Sequence, residues 1–464
     1  MNSNFARSFT LKRPEGRAPH EPTIPGCSGS LMRGEISPSS FAFRHYHFAP
    51  EMTTSHNTAR WGIVGLLLLS VCINYVDRGS LSVAMPVLSK EFSLSPAKLG
   101  YLLSAFFWSY TSFQLVVGWL VDRHDVKWVY AVGFLVWSIA MASTGLATSF
   151  GGLLVARLCL GIGESVFLPS VSKIVVGLFP AERRGLPNAL VDVGTKVGPA
   201  LSIYLGGMLL QEYGWRTLFI SVGLGSLVWL VPWIWLMPAD PARAATRHAP
   251  GLGMTEILRR RETWGTSLGM FALGYVWIFL ITWLPSYLVH ERNYSMKQMA
   301  VLGSLPFWGM AVATLTGGWT SDFWIARGGT PTRVRKTFAV TGLLLCAGLM
   351  LPAALVADTW IASGFLIASC VALGIFTSNV WAITQTLAGP EAAGKWTGIQ
   401  NFVGNLGGVI SPIVAGLIVE HTRSFFLAFA VAAVTLVLGA ACYLFLVPRV
   451  EPIVWKTVGN PNHQ

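Results

Sequence analysis

The sequence predicts an all-α membrane protein of twelve transmembrane helices, arranged as two parallel six-helix halves. Three observations carry this. The 464 residues are 53% hydrophobic and only 12% charged, whereas a soluble chain is about one quarter charged. Apolar segments follow one another with short basic connections, and about 20 such residues are enough to span the hydrocarbon. Finally, a pattern of seven residues in the second segment returns in the eighth at a constant offset of 200.

Taken in order, the first 57 residues are rich in Ser, Pro, Arg and His and show no periodicity. They have no apolar core of a secretory signal and read as a disordered cytoplasmic tail. Met52, just before the first span, is a candidate alternative start. The first half covers 58–237, with spans at 61–86, 97–121, 128–147, 151–178, 186–210 and 216–237. A central loop, 238–264, carries Arg243, Arg247, Arg259, Arg260 and Arg261. The second half covers 265–448, with spans at 265–289, 299–320, 338–357, 360–387, 396–419 and 424–447, and 449–464 form a second tail. The repeat pairs Leu102, Ser104, Phe107, Trp108, Gly118, Trp119 and Asp122 with Leu302, Ser304, Phe307, Trp308, Gly318, Trp319 and Asp322. Trp and Asp are rare in spans, so apolar composition alone does not account for the match. Parallel repeats of this kind mark transporters, with the substrate site between the halves near the bilayer midplane.

The net charge of +12 does not point to nucleic acid, because the basic residues gather in short loops on one side. Arg123, Lys127, Arg183, the central-loop arginines, Arg333, Arg335 and Lys395 lie there. The positive-inside rule makes that side, with both termini, cytoplasmic, and a bacterial inner membrane is the expected location. The six cysteines (Cys27, Cys72, Cys159, Cys346, Cys370 and Cys442) are scattered, without the spacing of a disulfide framework or a zinc site. No nucleophile–base constellation suggests an enzyme, and no cofactor other than a coupling proton is expected.

The chemistry centres on Asn74-Tyr75-Val76-Asp77-Arg78. Asp77 lies about 24 Å along the helix from Trp61 and about 13 Å before Pro86. Charges at such a depth cost roughly a few kcal/mol each and face a cavity or each other. The fourth span adds Arg157 and Glu164, close to two turns apart on one face. Arginine stays charged and grips carboxylates, whereas a carboxylate can change charge. Glu164 is therefore the favoured proton site, with Asp77 a second, coupled to Arg78 or Arg157. The competing reading is a static lattice that locks the helices. Asp192 and Lys196, at i and i+4 in the fifth span, either neutralise each other or offer Lys196 to a second carboxylate or phosphate. The second half supplies amides and an indole instead: Asn379, Trp381, Gln385, Asn401 and Asn405. Amides donate and accept, which suits a polyhydroxylated anion.

These residues carry a family resemblance over 61–448. Gly118-Trp119-Leu120-Val121-Asp122-Arg123 resembles the loop motif of the major facilitator superfamily, with Asp125 standing where a second glycine is usual. The resemblance implies a gating role for Asp122, Arg123 and Arg183. Asn74-Tyr75-Val76-Asp77-Arg78, Arg157 with Gly161-Ile162-Gly163-Glu164, and Asn401-Phe402 with Asn405 are similar to the anion:cation symporter family. That family includes proton-coupled sugar-acid carriers of bacteria and organic-anion carriers of animals. It implies protonation at Asp77 and Glu164, and a substrate site lined by Tyr75, Arg78, Tyr110 and Asn401, with Thr195 at the polar position of the fifth helix. The resulting expectation is a monomeric, proton-coupled importer of a small organic anion such as a sugar acid. Sodium coupling, exchange of another organic anion, and a non-transporting sensor are its rivals.

Overall fold

The computed structural model describes residues 54–179, 185–238 and 253–455. Its helices are α1 (Thr54–Glu91), α2 (Pro96–Arg123), α3 (Val126–Thr144), α4 (Phe150–Glu164), α5 (Phe167–Leu178), α6 (Gly185–Ser226), α7 (Leu230–Leu236), α8 (Met254–Leu258), α9 (Arg261–His290), α10 (Met296–Ala326), α11 (Pro331–Leu355), α12 (Thr359–Thr422) and α13 (Phe426–Phe445). Among the described residues, ten helical stretches are long and apolar enough to cross a membrane. Helix α2, at 28 residues, is also long enough to cross, and α6 is two helices merged across a kink. Gly214 (φ 76°, ψ 169°) breaks α6 into two arms, as Gly389 (φ 62°, ψ −178°) breaks α12. Both glycines hold positive φ, which a side chain would resist.

Several boundaries differ from the sequence reading. Helix α1 reaches back to Thr54 and continues past Pro86 to Glu91; within a bilayer, packing against neighbours tolerates an internal proline. The central loop is partly folded, since α8 buries Ile257 and Thr263 bonds to its carbonyl. The segment after α13 is packed rather than free: Val450 N–H donates to Thr332, and Ile453 N–H and the Trp455 indole donate to the carbonyls of Leu387 and Ala388.

The internal repeat is a repeat of structure. Phe107 and Phe307 are both buried, while Trp108 and Trp308 are 40% and 41% exposed. The offset of 200 extends to backbone and caps. Ser93 and Asn293 both take positive φ, and Ser95 and Ser295 both cap the following helix. The carboxylates of Glu91 and Glu291 brace equivalent corners. Glu91 accepts from Trp215 and Arg216, and Glu291 from Ser424 and the Phe425 N–H.

Small residues bring the halves together at the end opposite the arginine-rich loops. A Cβ on Gly100 would lie 2.4 Å from the Pro412 carbonyl, and one on Gly416 2.5 Å from that of Pro96. Ser104 donates to the Val409 carbonyl at 2.6 Å, and Ala97 N–H donates to Glu420 at 2.8 Å. Gly207 lies against Ala300 in the same zone. This is how membrane helices associate when hydrophobicity gives no preference between partner and lipid.

Within the first half, Gly163 lets α4 approach α3. A Cβ there would meet the Trp137 backbone nitrogen at 2.6 Å. Gly163→Ala is expected to cost about 1–3 kcal/mol by overpacking and to lower the unfolding temperature in detergent. Gly65→Ala, where a Cβ meets nothing within 4 Å, should leave that temperature in place.

Candidate functional site

Helix α1 presents Tyr75, Asp77 and Arg78, α2 presents Phe106 and Tyr110, and α4 presents Arg157 and Glu164. Arg78 Nε donates to Glu164 Oε2 at 2.8 Å. Its guanidinium is enclosed by the rings of Tyr75, Phe106 and Tyr110, with centroids at 4.8, 4.7 and 4.7 Å. Each such ring contact contributes about 0.5 kcal/mol or more, and more when water is excluded. Arg157 lies 5.8 Å from the Phe106 centroid, so both arginines approach the same aromatic ring.

The ion pair leaves much of the cluster unsatisfied. Both carboxylate oxygens of Asp77, Nε and one terminal nitrogen of Arg157, and Glu164 Oε1 are buried without hydrogen-bond partners. The amide of Asn74 lies within hydrogen-bonding reach of Glu164. Asp77, Arg78, Arg157 and Glu164 all lie within electrostatic reach of one another. Buried polar atoms are nearly always paired, so this concentration of unpaired groups singles the cluster out among the described residues.

Just past Glu164 the fourth pass, read from sequence as one helix and continuous over Phe150–Leu178, loses part of its hydrogen-bond ladder while Ser165 and Val166 keep helical backbone angles. Pro169 lacks an N–H, and its ring crowds the carbonyl four residues earlier, that of Ser165. Helix α4 accordingly ends at Glu164 and α5 begins at Phe167. The interruption falls directly beneath the carboxylate.

The fifth-pass pair is formed: Lys196 Nζ reaches both Asp192 carboxylate oxygens at 2.7 Å. Thr195 donates its hydroxyl to the Asp192 carbonyl, so its donor is committed to its own helix. Gly198 packs on Tyr75, which places this face of α6 against α1. In the second half, Asn401 and Asn405 are half-buried on the second arm of α12, and the Asn405 amide nitrogen has no partner. Trp381 is half-buried against the core.

Asn379 is placed elsewhere than the sequence reading had it. It accepts from Ser321 at 2.7 Å and from Arg335 at 3.3 Å, and donates to Ser378. That network sits at the basic end, where Arg335 also pairs with Asp322 at 3.6 Å. Arg123 stacks on Trp119 at 4.5 Å. The side chain of Asp122 and the whole of Arg183 lie outside the described residues.

Two contributors escaped sequence reasoning. Phe106 lies under both Arg78 and Arg157, and Trp277 of α9 approaches Tyr75 with centroids 6.3 Å apart, linking the halves at the site. Apolar aromatics in a chain with 19 Trp and 26 Phe carry no pattern that would single these out. Among the described residues, no group of three or more His, Cys, Asp or Glu side chains gathers to hold a metal ion.

A repeated helical bundle with a charged cluster buried at the junction of its halves defines a membrane transporter rather than an enzyme. Residues 67–412 match the Major Facilitator Superfamily, and the chain belongs to that family. It is 30% identical to a hexuronate transporter of Bacillus subtilis (strain 168), over 86% of this chain and 96% of that one. It is also 30% identical to a probable sulfoacetate transporter of Cupriavidus necator, over 87% and 96%. A probable galactarate/D-glucarate transporter of Escherichia coli (strain K12) is 28% identical over 89% and 98%. Among solved structures, a bacterial homologue of the human lysosomal transporter Spinster, inward-facing and unoccupied, superposes with a TM-score of 0.71. It shares 19% identity over 84% of this chain and 97% of that one, a likeness of fold.

Pro169→Ala would restore the missing N–H and remove the clash, lengthening the α4 ladder past Glu164. Thermal unfolding in detergent should shift upward. Uptake into proteoliposomes should slow if the weakened ladder takes part in the transport movement, and should be unchanged if the pass moves as one rigid helix.

Proposed function

We propose that the protein is a proton-coupled symporter that imports a small organic anion, a sugar acid of the hexonate, hexuronate or aldarate kind, by alternating access. The observation that carries this reading is the Arg78–Glu164 ion pair, set under three rings beside Arg157 and beside Asp77, whose carboxylate oxygens have no hydrogen-bond partner. Relatives named for hexuronate and galactarate/D-glucarate transport support the sugar-acid class. The arginine-rich loops support an orientation with both termini in the cytoplasm of a bacterium.

The coupling follows from what each group can do. At physiological pH the guanidiniums keep their protons, while carboxylates exchange theirs. While Glu164 is ionised it occupies Arg78. A proton on Glu164 releases Arg78, whose fork then takes the substrate carboxylate by charge-assisted hydrogen bonds. Tyr75 and Tyr110 flank the same guanidinium, and Asn401 and Asn405 offer amides to substrate hydroxyls from the opposite half. Asp77 and Arg157 lie within electrostatic reach of each other and of the first pair, so the two acids titrate together. Proton and substrate together favour the occluded carrier over the open ones, as a population shift requires.

The test is uptake of radiolabelled sugar acids into proteoliposomes under an inward proton gradient. Accumulation that collapses with a protonophore is the expected result, and accumulation that follows sodium instead would overturn proton coupling. Glu164→Gln should abolish accumulation against a gradient while exchange of internal for external substrate persists. Uphill transport by that variant would remove Glu164 from the coupling step.

A further inference from the structure

We infer that Glu420 is a positioning residue for the transport cycle, a latch that caps the start of α2 from the opposite half. The face away from the arginine-rich loops opens only when that cap is given up. The inference lies outside the anion site and rests on the alternating-access reading proposed above.

The joint is a row of matched contacts between α2 and the second arm of α12. Along α2 the contacting positions are Ala97, Gly100 and Ser104, spaced by three and four residues and so on one face. Along α12 they are Val409, Pro412, Gly416 and Glu420, spaced likewise. A Cβ on Gly100 would meet the Pro412 carbonyl, and one on Gly416 the carbonyl of Pro96. Ser104 donates to the Val409 carbonyl, and Ala97 N–H donates to Glu420 Oε2 at 2.8 Å. The two helices therefore run antiparallel, with Glu420 at the outer end of the row, about 10 Å along α2 from Ser104. Of the side chains in these contacts, Glu420 alone carries a charge.

The internal repeat shows what is unusual about this cap. Ser95 and Ser295 start α2 and α10 in the same way, each accepting from the N–H three residues on. In α10 that residue is Gln298, whose side chain accepts in return from the Ser295 N–H, so the capping box closes within one helix. In α2 the same position holds Lys98, which has donors and no acceptor. Pro96 brings no N–H, and the Lys98 N–H is taken by Ser95, so the Ala97 N–H is left for an acceptor from elsewhere. Glu420 supplies it, and the Ser95 hydroxyl lies within hydrogen-bonding reach of the same carboxylate. A carboxylate suits this place because a helix N-terminus carries partial positive charge. When the halves part here, α2 loses its acceptor, whereas α10 keeps its own in every state. The closed joint is thus favoured by a charge-assisted bond that the open joint lacks.

Ser104→Cys reports the state of the joint without any substrate. In the closed joint that side chain is fully buried, so a maleimide reaches the thiol only when α2 and α12 separate. The labelling rate is measured on the purified protein in detergent, with the protein that keeps Ser104 as the blank for the native cysteines. Adding Glu420→Ala to the Ser104→Cys background should raise the rate about tenfold, the scale of a lost hydrogen bond to a charged group. Glu420→Gln, whose amide oxygen still accepts, should fall between the two. Gln298→Ala removes the equivalent cap of α10 but no bond across the joint, and should leave the rate where the background has it. An unchanged rate in Glu420→Ala overturns the inference. So does an equal rise in Gln298→Ala, which would make any loosened helix end sufficient. Sugar-acid uptake under a proton gradient is measured in parallel. A wild type that accumulates none overturns the symporter reading, while the labelling rates still decide the latch.

Discussion

Everything at the centre of this molecule answers to the cost of holding an arginine in the middle of a span. A guanidinium does not shed its proton, so Arg78 must be accommodated as a cation. The structure does this twice over, with one carboxylate in the plane of the hydrogen bond and three aromatic faces around it. The rings partly replace water without fixing a partner, because a quadrupole attracts the cation from several directions. A carboxylate alone would hold Arg78 too rigidly to be exchanged, and rings alone would leave its charge uncompensated. The combination permits the anion to change.

The opposite end of the molecule shows a different economy. There the halves meet through glycines against carbonyls and through two hydrogen bonds to backbone groups, Ser104 to Val409 and Ala97 to Glu420. Contacts of this kind depend on shape and are lost together when the helices separate. They contain no buried ion pair whose rupture would strand a charge. On the proposed mechanism an interface of that type suits a joint that opens, whereas the corners braced by Glu91 and Glu291 lie within each half.

Much of this was legible in the sequence, and what was not had physical reasons. The charged positions stood out because charge is expensive in a span, and the structure brings Asp77, Arg78, Arg157 and Glu164 within reach of one another. The repeat was visible because Trp and Asp are rare there. Amides are cheaper, and their sequence signal is correspondingly weaker: Asn379 turned out to serve Ser321 and Arg335 rather than the central site. Phe106 and Trp277 were hidden among many aromatics, since cation–π contacts depend on which face a helix turns inward. The weakened ladder after Glu164 was encoded by Pro169, but a proline near the middle of a pass reads as tolerated until hydrogen bonds are seen to be missing.

The repeat finally explains how such a site can work in a two-part machine. The offset of 200 that matches Glu91 with Glu291 and Ser95 with Ser295 also matches Tyr75 with Tyr275, but it sets Trp277 opposite Asp77 and Ile278 opposite Arg78. Scaffold positions repeat, and the charged chemistry does not. Asp77, Arg78, Arg157, Glu164, Asp192 and Lys196 all belong to the first half, and they sum to zero when every one is ionised. If the halves rock against each other, none of these ion pairs is made or broken across the moving joint. The second half senses the state of the network through neutral contacts, such as Tyr75 with Trp277, and through the substrate bridging the two. A neutral network demands little of the bilayer, and each added proton gives it one positive charge for an anion to balance. On the proposed mechanism, movement with proton and anion together or with neither is therefore favoured over movement with only one of them. That is the electrostatic requirement of a symporter.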